Sequence, residues 1–197
     1  MNLTNIQKRK VVFFDRDGVV NLEDAPYGYK IDTFYFAPHF MELFLELKKQ
    51  DALCFIVTNQ SGIHRGIFTQ KDFNILTSFM QSCIKSSLMI PLRESGFMPK
   101  NIGFDGVYFC PHTEEEHCSC RKPNSAMLEQ AIKEFHLNIK DCDSYILGDK
   151  DTDMQAGLKV GIETRIFIGN TEAPNATHKV KNLKEAAKII QRNDSLH

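Results

Sequence analysis

Almost no net charge remains on this 197-residue chain, because 24 Lys and Arg nearly cancel 25 Asp and Glu to leave −1 at pH 7. Without a global basic field, nothing draws the chain toward nucleic acid or an anionic membrane. Long apolar runs are also missing. The longest, residues 11–14 and 52–57, suit a strand and fall far short of a bilayer span. Residues 1–10 are polar, with neither an apolar core nor a small-residue cleavage site, so they do not read as a secretory signal. The expected compartment is the cytoplasm. Internal repeats and low-complexity tracts are absent too, which leaves an ordinary globular chain.

What is present fits one α/β domain. The length allows a substantial core but not two full domains, and 42% hydrophobic with 25% charged residues is ordinary. Short apolar runs at 11–14, 53–57, 106–109, 144–147 and 164–168 predict strands. Between them, helical spacing predicts helices over 38–50, 69–87, 125–136, 151–159 and 183–191, with Thr69 as an N-cap. That alternation predicts a doubly wound, mainly parallel sheet of Rossmann type, its Phe and Leu stripes forming core rather than a cofactor box. Residues 1–10 read as a polar arm, 11–192 as the domain and 193–197 as a polar tail. Residues 88–104, carrying Pro91, Gly96, Pro99 and Gly103, read as an irregular insertion, and 169–177 as a loop.

Polar motifs follow the strands. Residues 11–14 run into Asp15-Arg16-Asp17-Gly18, 53–57 into Thr58-Asn59-Gln60-Ser61-Gly62, and 144–147 into Gly148-Asp149-Lys150-Asp151-Thr152-Asp153. The third strand reaches Arg121-Lys122-Pro123 only after a cysteine loop. Ligands of open α/β sheets bind beyond the carboxyl ends of the strands, and acids mixed with cations and a hydroxyl suit a metal-bound anion. Phosphoryl transfer needs each type. A carboxylate attacks phosphorus once a divalent cation relieves the repulsion between two anions. Magnesium is held by a few carboxylates, with water and phosphate oxygen completing its shell. A second acid two residues on can protonate the leaving oxygen and later deprotonate water. Lys122 and the Thr58 hydroxyl can stabilise the transferring oxygens, while Gly18 and Gly62 let backbone approach the anion. Taken singly these motifs could be a turn, a strand-to-helix cap and a solvated basic pair. A calcium loop is excluded, since its glycine comes early and Pro26 stands where the last acidic ligand belongs.

Asp15/Asp17, Thr58, Lys122 and Asp149/Asp153 occur in the order that marks the haloacid dehalogenase-like phosphatases, and over about residues 11–169 the chain resembles that family. The resemblance implies that Asp15 is the nucleophile that becomes an aspartyl-phosphate and Asp17 the general acid/base. It implies magnesium on Asp15, the backbone carbonyl of Asp17 and Asp149, with Asp153 in support. No large cap domain follows the first motif, so residues 21–29 are expected to cover the site.

Three of the six cysteines crowd together in Cys110-Pro111-His112 and Cys118-Ser119-Cys120, while Cys54, Cys83 and Cys142 read as plain structural thiols. Cys110, His112, Cys118 and Cys120 make a closed set of Cys₃His type, which suits structural zinc and could order a polar loop lacking a core. A disulfide is the competing reading, and His117 a substitute ligand. A nucleic-acid-binding zinc module would need flanking basic and aromatic clusters that are absent. Among haloacid dehalogenase-like phosphatases, the loop narrows the resemblance to two groups. One acts on the 7-phosphate of D-glycero-D-manno-heptose 1,7-bisphosphate in lipopolysaccharide core-precursor synthesis, the other on histidinol phosphate. Residues 59–68 and 148–156 look more like the heptose group, the five-residue spacer more like the histidinol group. The heptose resemblance implies substrate contacts from Arg121, from Thr58, Asn59, Gln60 and Ser61, and from Lys150. The expected partner is a small phosphorylated sugar, with a monomer favoured. A polynucleotide 3′-phosphatase remains an alternative because the site is uncapped. An inactive scaffold would need a broken motif, and none is broken.

Overall fold

The computed structural model describes residues 8–23 and 27–194. Six parallel strands form one sheet in the order β3-β2-β1-β4-β5-β6. They are β1 (Arg9–Phe14), β2 (Leu53–Asn59), β3 (Gly106–Cys110), β4 (Cys142–Gly148), β5 (Thr164–Ile168) and β6 (His178–Val180). Among the described residues five α-helices connect and cover them: α1 (Phe40–Lys49), α2 (Gln70–Glu94), α3 (Ala126–Glu134), α4 (Asp151–Lys159) and α5 (Leu183–Asp194). Because strand side chains alternate between faces, β1 feeds two cores at once. Val12 and Phe14 join Phe40, Phe44, Met80, Ile84 and Ile190 under α1, α2 and α5. Val11 and Phe13 join Phe55, Met127, Leu128, Ala131 and Met154 under α3 and α4.

The chain builds outward from β1 through β2 to β3, then returns to place β4 on the other side of β1. That reversal opens a crevice at the carboxyl end of β1, where ligands of such sheets bind. Thr69 does cap α2, accepting from the Asp72 N–H at 3.2 Å while Asp72 accepts from the Thr69 N–H at 2.8 Å.

Residues 88–104 are not irregular throughout. Helix α2 continues through Pro91 to Glu94 and buries Leu88 and Leu92. Pro91 gives up its bond to the carbonyl one turn earlier, which burial of Leu88 and Leu92 offsets, and Gly96 at φ +77° ends the run. Beyond it, Gln81 holds the Phe104 backbone in both directions, at 2.9 and 3.1 Å. The Phe104 ring then packs 4.7 Å from Phe44 and 5.7 Å from Phe14, so the segment is pinned to the core. β6 was not expected, since three residues reading His-Lys-Val show little strand pattern, and pairing with β5 is what makes them a strand. β1 starts at Arg9, inside the expected polar arm, because Arg9 and Lys10 pair with Cys142 and Asp143 of β4. Helix α5 runs to Asp194; the remainder of the expected arm, residues 1–7, and of the tail, 195–197, lies outside the described residues. Among the described residues no helix is long and apolar enough to cross a membrane.

The last turns of α2 thus belong to the core. Leu92→Ala should destabilise the protein by about 2–5 kcal/mol in urea unfolding. Ile90→Ser, at a position 65% exposed two residues away, should change stability by less than about 0.5 kcal/mol.

Candidate active site

Asp15 is the first residue beyond β1, and its N–H still donates to the Leu147 carbonyl of β4 at 2.9 Å. The chain then turns sharply over buried Val19 and Val20. Gly18 makes that turn at φ +82°, and a Cβ there would lie 2.4 Å from the Asp149 Oδ2. Only glycine lets the turn after β1 lie against the end of β4. Gly62, expected to approach the anion, instead makes room for the Phe68 and Tyr27 rings, at 2.2 and 2.8 Å from its would-be Cβ.

Lys122 is buried and sits between two carboxylates. Its ammonium lies 3.0 Å from the Asp15 Oδ1, pairs with Asp153, and donates to the Val57 carbonyl at 2.7 Å. Burial pulls its pKa down, but Asp15 and Asp153 outweigh that and hold it above the ordinary lysine range. Asn59 fixes the Lys122 backbone from both sides, accepting from its N–H at 3.0 Å and donating to its carbonyl at 3.1 Å. The Asn59 amide is therefore already engaged, although Asn59 also lines the cleft.

Carboxylate oxygens of Asp15, Asp149 and Asp153 all lie within 4.8 Å of one another. The buried Asp149 Oδ1 has no hydrogen-bond partner, and the nearest cation is the Lys150 ammonium 3.9 Å away. A buried anionic oxygen without a donor is costly, and a hard divalent cation would satisfy it with an all-oxygen ligand set. Burial and then the Asp15 charge push Asp149 up to about 7, with Lys150 opposing. Asp153 is pushed up to about 6 by burial, with Lys122 opposing and Asp15 adding to the rise. Asp153 also accepts from the Lys150 N–H at 3.1 Å, capping α4.

Asp17 is enclosed by donors. Arg16 presents Nε and Nη2 to its two oxygens, each at 3.0 Å, while Gln60 donates at 2.8 Å and Asn21 at 3.1 Å. Gln60 also donates to the Thr58 hydroxyl at 3.0 Å. Arg16 and Asn21 were not singled out in the sequence, where an arginine between two aspartates gives no sign of pointing inward.

Asp15, Asp17, Thr58, Asn59, Gln60, Ser61, Arg121, Lys122, Lys150 and Asp153 line a cleft of about 460 Å³, together with Glu23, Tyr27, Gly28, Glu114 and Thr152, while Asp149 is not part of that lining. Arg121 donates to the His112 carbonyl at 3.2 Å and pairs with Glu114 at 3.0 Å. Lys150 lies 3.7 Å from Glu23. The covering segment reaches the cleft through Tyr27 and Gly28, and Tyr29 stacks on Phe68 with ring centroids 5.1 Å apart. Residues 24–26 of the expected covering segment lie outside the described residues.

Register brings the cysteine loop to the same edge, because β3 pairs Cys110 with Asn59 of β2. Cys110, His112, Cys118 and Cys120 converge with ligand atoms within 4.8 Å, and His117 is not among them. All three thiols are free. Burial pushes the Cys118 thiol up, but the Arg121 amide and neighbouring thiols outweigh it and bring it down to about 7. Cys110 is pushed well up by burial and the Cys120 thiol.

A family model described as "HAD-hyrolase-like" matches residues 119–188. The chain is 39% identical over 188 residues to the D-glycero-alpha-D-manno-heptose-1,7-bisphosphate 7-phosphatase of Campylobacter jejuni, covering 95% of this chain and 99% of the relative. It is 36% identical over 182 residues to the D-glycero-beta-D-manno-heptose-1,7-bisphosphate 7-phosphatase of Helicobacter pylori strain J99, covering 91% and 96%. In fold it is similar to a D,D-heptose 1.7-bisphosphate phosphatase from B. bronchiseptica solved with magnesium and phosphate. That likeness has a TM-score of 0.75 at 23% identity, covering 93% and 99% of the two chains.

The raised Asp149 pKa has a consequence for stability. The folded protein binds that proton more tightly than the unfolded chain, so the stabilisation is present at low pH and is lost as pH rises through about 7. A divalent cation held by Asp149 would replace the proton. Magnesium chloride should therefore raise Tm more at pH 8 than at pH 6 in chelator-treated protein, and equal shifts in thermal melts would contradict the assignment.

Proposed function

The chain belongs to the heptose-bisphosphate phosphatase branch of the haloacid dehalogenase-like hydrolases, and we propose that it removes the 7-phosphate of D-glycero-D-manno-heptose 1,7-bisphosphate. Such an activity would supply heptose for lipopolysaccharide core precursors. The observation that carries the chemistry is the meeting of Asp15, Lys122 and the donorless Asp149 oxygen at one sheet edge. The sugar is suggested by the names of relatives matched over nearly their whole length.

Asp15 attacks phosphorus, and the phosphoryl group moves onto its carboxylate as the bond to the sugar oxygen breaks. Asp17 gives that oxygen a proton. It then takes one from a water whose oxygen attacks the phosphoryl group, releasing phosphate and restoring Asp15. Lys122, already 3.0 Å from Asp15, and the Thr58 hydroxyl balance charge on the transferring oxygens. Asp15, Asp149 and the Asp17 carbonyl would hold magnesium, which when bound offsets the repulsion between carboxylate and phosphate. Arg121 and Lys150 line the same cleft and would take the second phosphate and sugar hydroxyls, with Asn59, Gln60 and Ser61 shaping the floor.

Asp15→Asn should abolish hydrolysis, with deamidation excluded by mass spectrometry. Arg121→Ala should lower kcat/KM for the bisphosphate at least about tenfold, equal to about 1.4 kcal/mol, and change a simple aryl phosphate much less. Both anomers are tested, since relatives carry either name. A tenfold preference of the wild type for histidinol phosphate would overturn the sugar assignment.

Cys110, His112, Cys118 and Cys120 are proposed to hold structural zinc, leaving no open position for catalysis. Its role would be to order the loop and so place Arg121 and Lys122. About one zinc per chain should copurify with reduced protein. Cys120→Ser should lose the metal and lower turnover even in folded material, because a misplaced Lys122 no longer meets Asp15.

A further inference from the structure

Arg16 is an arginine with 1% of its surface exposed, and it is absent from the wall of the cleft. Burying a guanidinium is expensive unless it is paired and hydrogen-bonded. Its partners are concentrated on one neighbour. Nε and Nη2 form a two-pronged fork on the Asp17 carboxylate, both at 3.0 Å, and the guanidinium carbon sits 5.4 Å over the Phe73 ring. Nη2 also donates to the Gly28 carbonyl of the covering segment at 2.6 Å and to the Gln60 side-chain oxygen at 3.2 Å. The buried Nη1 has no hydrogen-bond partner.

Two features set this apart from ordinary core filling. A two-pronged fork fixes the plane of a carboxylate as well as its position, which a single ammonium cannot do. Gly28 also approaches the same carboxylate directly, a Cβ there standing 3.3 Å from the Asp17 Oδ1 and 4.0 Å from the Arg16 Nη2. The covering segment and the proton-transfer group are therefore joined through one guanidinium.

We propose that Arg16 is a positioning residue for proton transfer, setting the orientation of the Asp17 carboxylate and tying it to Gly28 at the wall of the cleft. This rests on Asp17 being the acid of the proposed reaction. Arg16 does not touch substrate; it acts through Asp17.

Esters with different leaving groups separate this role from a structural one. A sugar alkoxide needs a proton to depart, whereas 2,4-dinitrophenolate leaves without one. Single-turnover phosphoryl transfer is measured on both esters with Arg16→Met and Arg16→Lys, alongside Asp17→Asn. Arg16→Met should lose at least about tenfold with the sugar phosphate, the scale expected of a misplaced acid, and less than about threefold in the dinitrophenolate burst. Arg16→Lys keeps the charge without the fork and should show the same selective loss; it carries the test if the Met variant does not fold. Equal losses on both esters, or none on either, would overturn the proposal, as would wild-type rates in Arg16→Lys. Asp17→Asn tells the two failures apart. A selective loss there with no selective loss at Arg16 rejects only the role of Arg16, whereas no selectivity at Asp17 rejects the acid assignment and the inference together.

Discussion

The Lys122 ammonium is held where three carboxylates meet at the carboxyl edge of the sheet, and the geometry around it follows from that concentration of charge. Asp15 and Asp153 flank it, and Asp149 stands beside Asp15. Taking such groups out of water is costly unless each finds a partner of opposite sign. Asp15 and Asp153 share one ammonium, while an Asp149 oxygen is left without a donor. Burial first, and the neighbouring Asp15 charge with it, raise the pKa values of Asp149 and Asp153. A divalent cation is the natural remedy, and the all-oxygen ligand set agrees with a hard one.

Keeping Lys122 in place recruits elements far apart in sequence. Its ammonium leans on the Val57 carbonyl of β2, and its backbone is gripped by Asn59 two residues further along. Just ahead of it, the Cys/His cluster begins at the end of β3, where register sets Cys110 beside Asn59. Between its cysteines the loop is polar, and a metal held by the four converging donors would order it. Arg16 is the second buried cation of the site, gathering Asp17, Gln60 and Gly28. One buried cation pairs with Asp15 and the other with Asp17, two residues along the same turn.

Much of this was legible before folding was considered. Strand-length apolar runs ending in Asp15, Thr58 and Asp149 announce a doubly wound sheet with polar groups at one edge, and the spacing of Cys110, His112, Cys118 and Cys120 announces the cluster into which they converge. The misreadings have physical causes. Pro91 and Gly96 look like breakers, yet α2 passes Pro91 because Leu88 and Leu92 bury their side chains. His178–Val180 has no strand pattern and becomes β6 by pairing with β5. Gly62 looks like a phosphate-binding glycine but makes room for Phe68 and Tyr27.

Local spacing thus determined which residue types stand at the strand ends, because period and turn chemistry are properties of short segments. Partnership was decided only by the tertiary structure. Whether Asn59 faces a ligand or the Lys122 backbone, and whether Arg16 is solvated or buried against Asp17, depends on what other strands and loops bring near. No local pattern records that, since charge and hydrogen-bond balance in a desolvated site are set by groups as distant in the chain as Asp15 and Lys122, 107 residues apart.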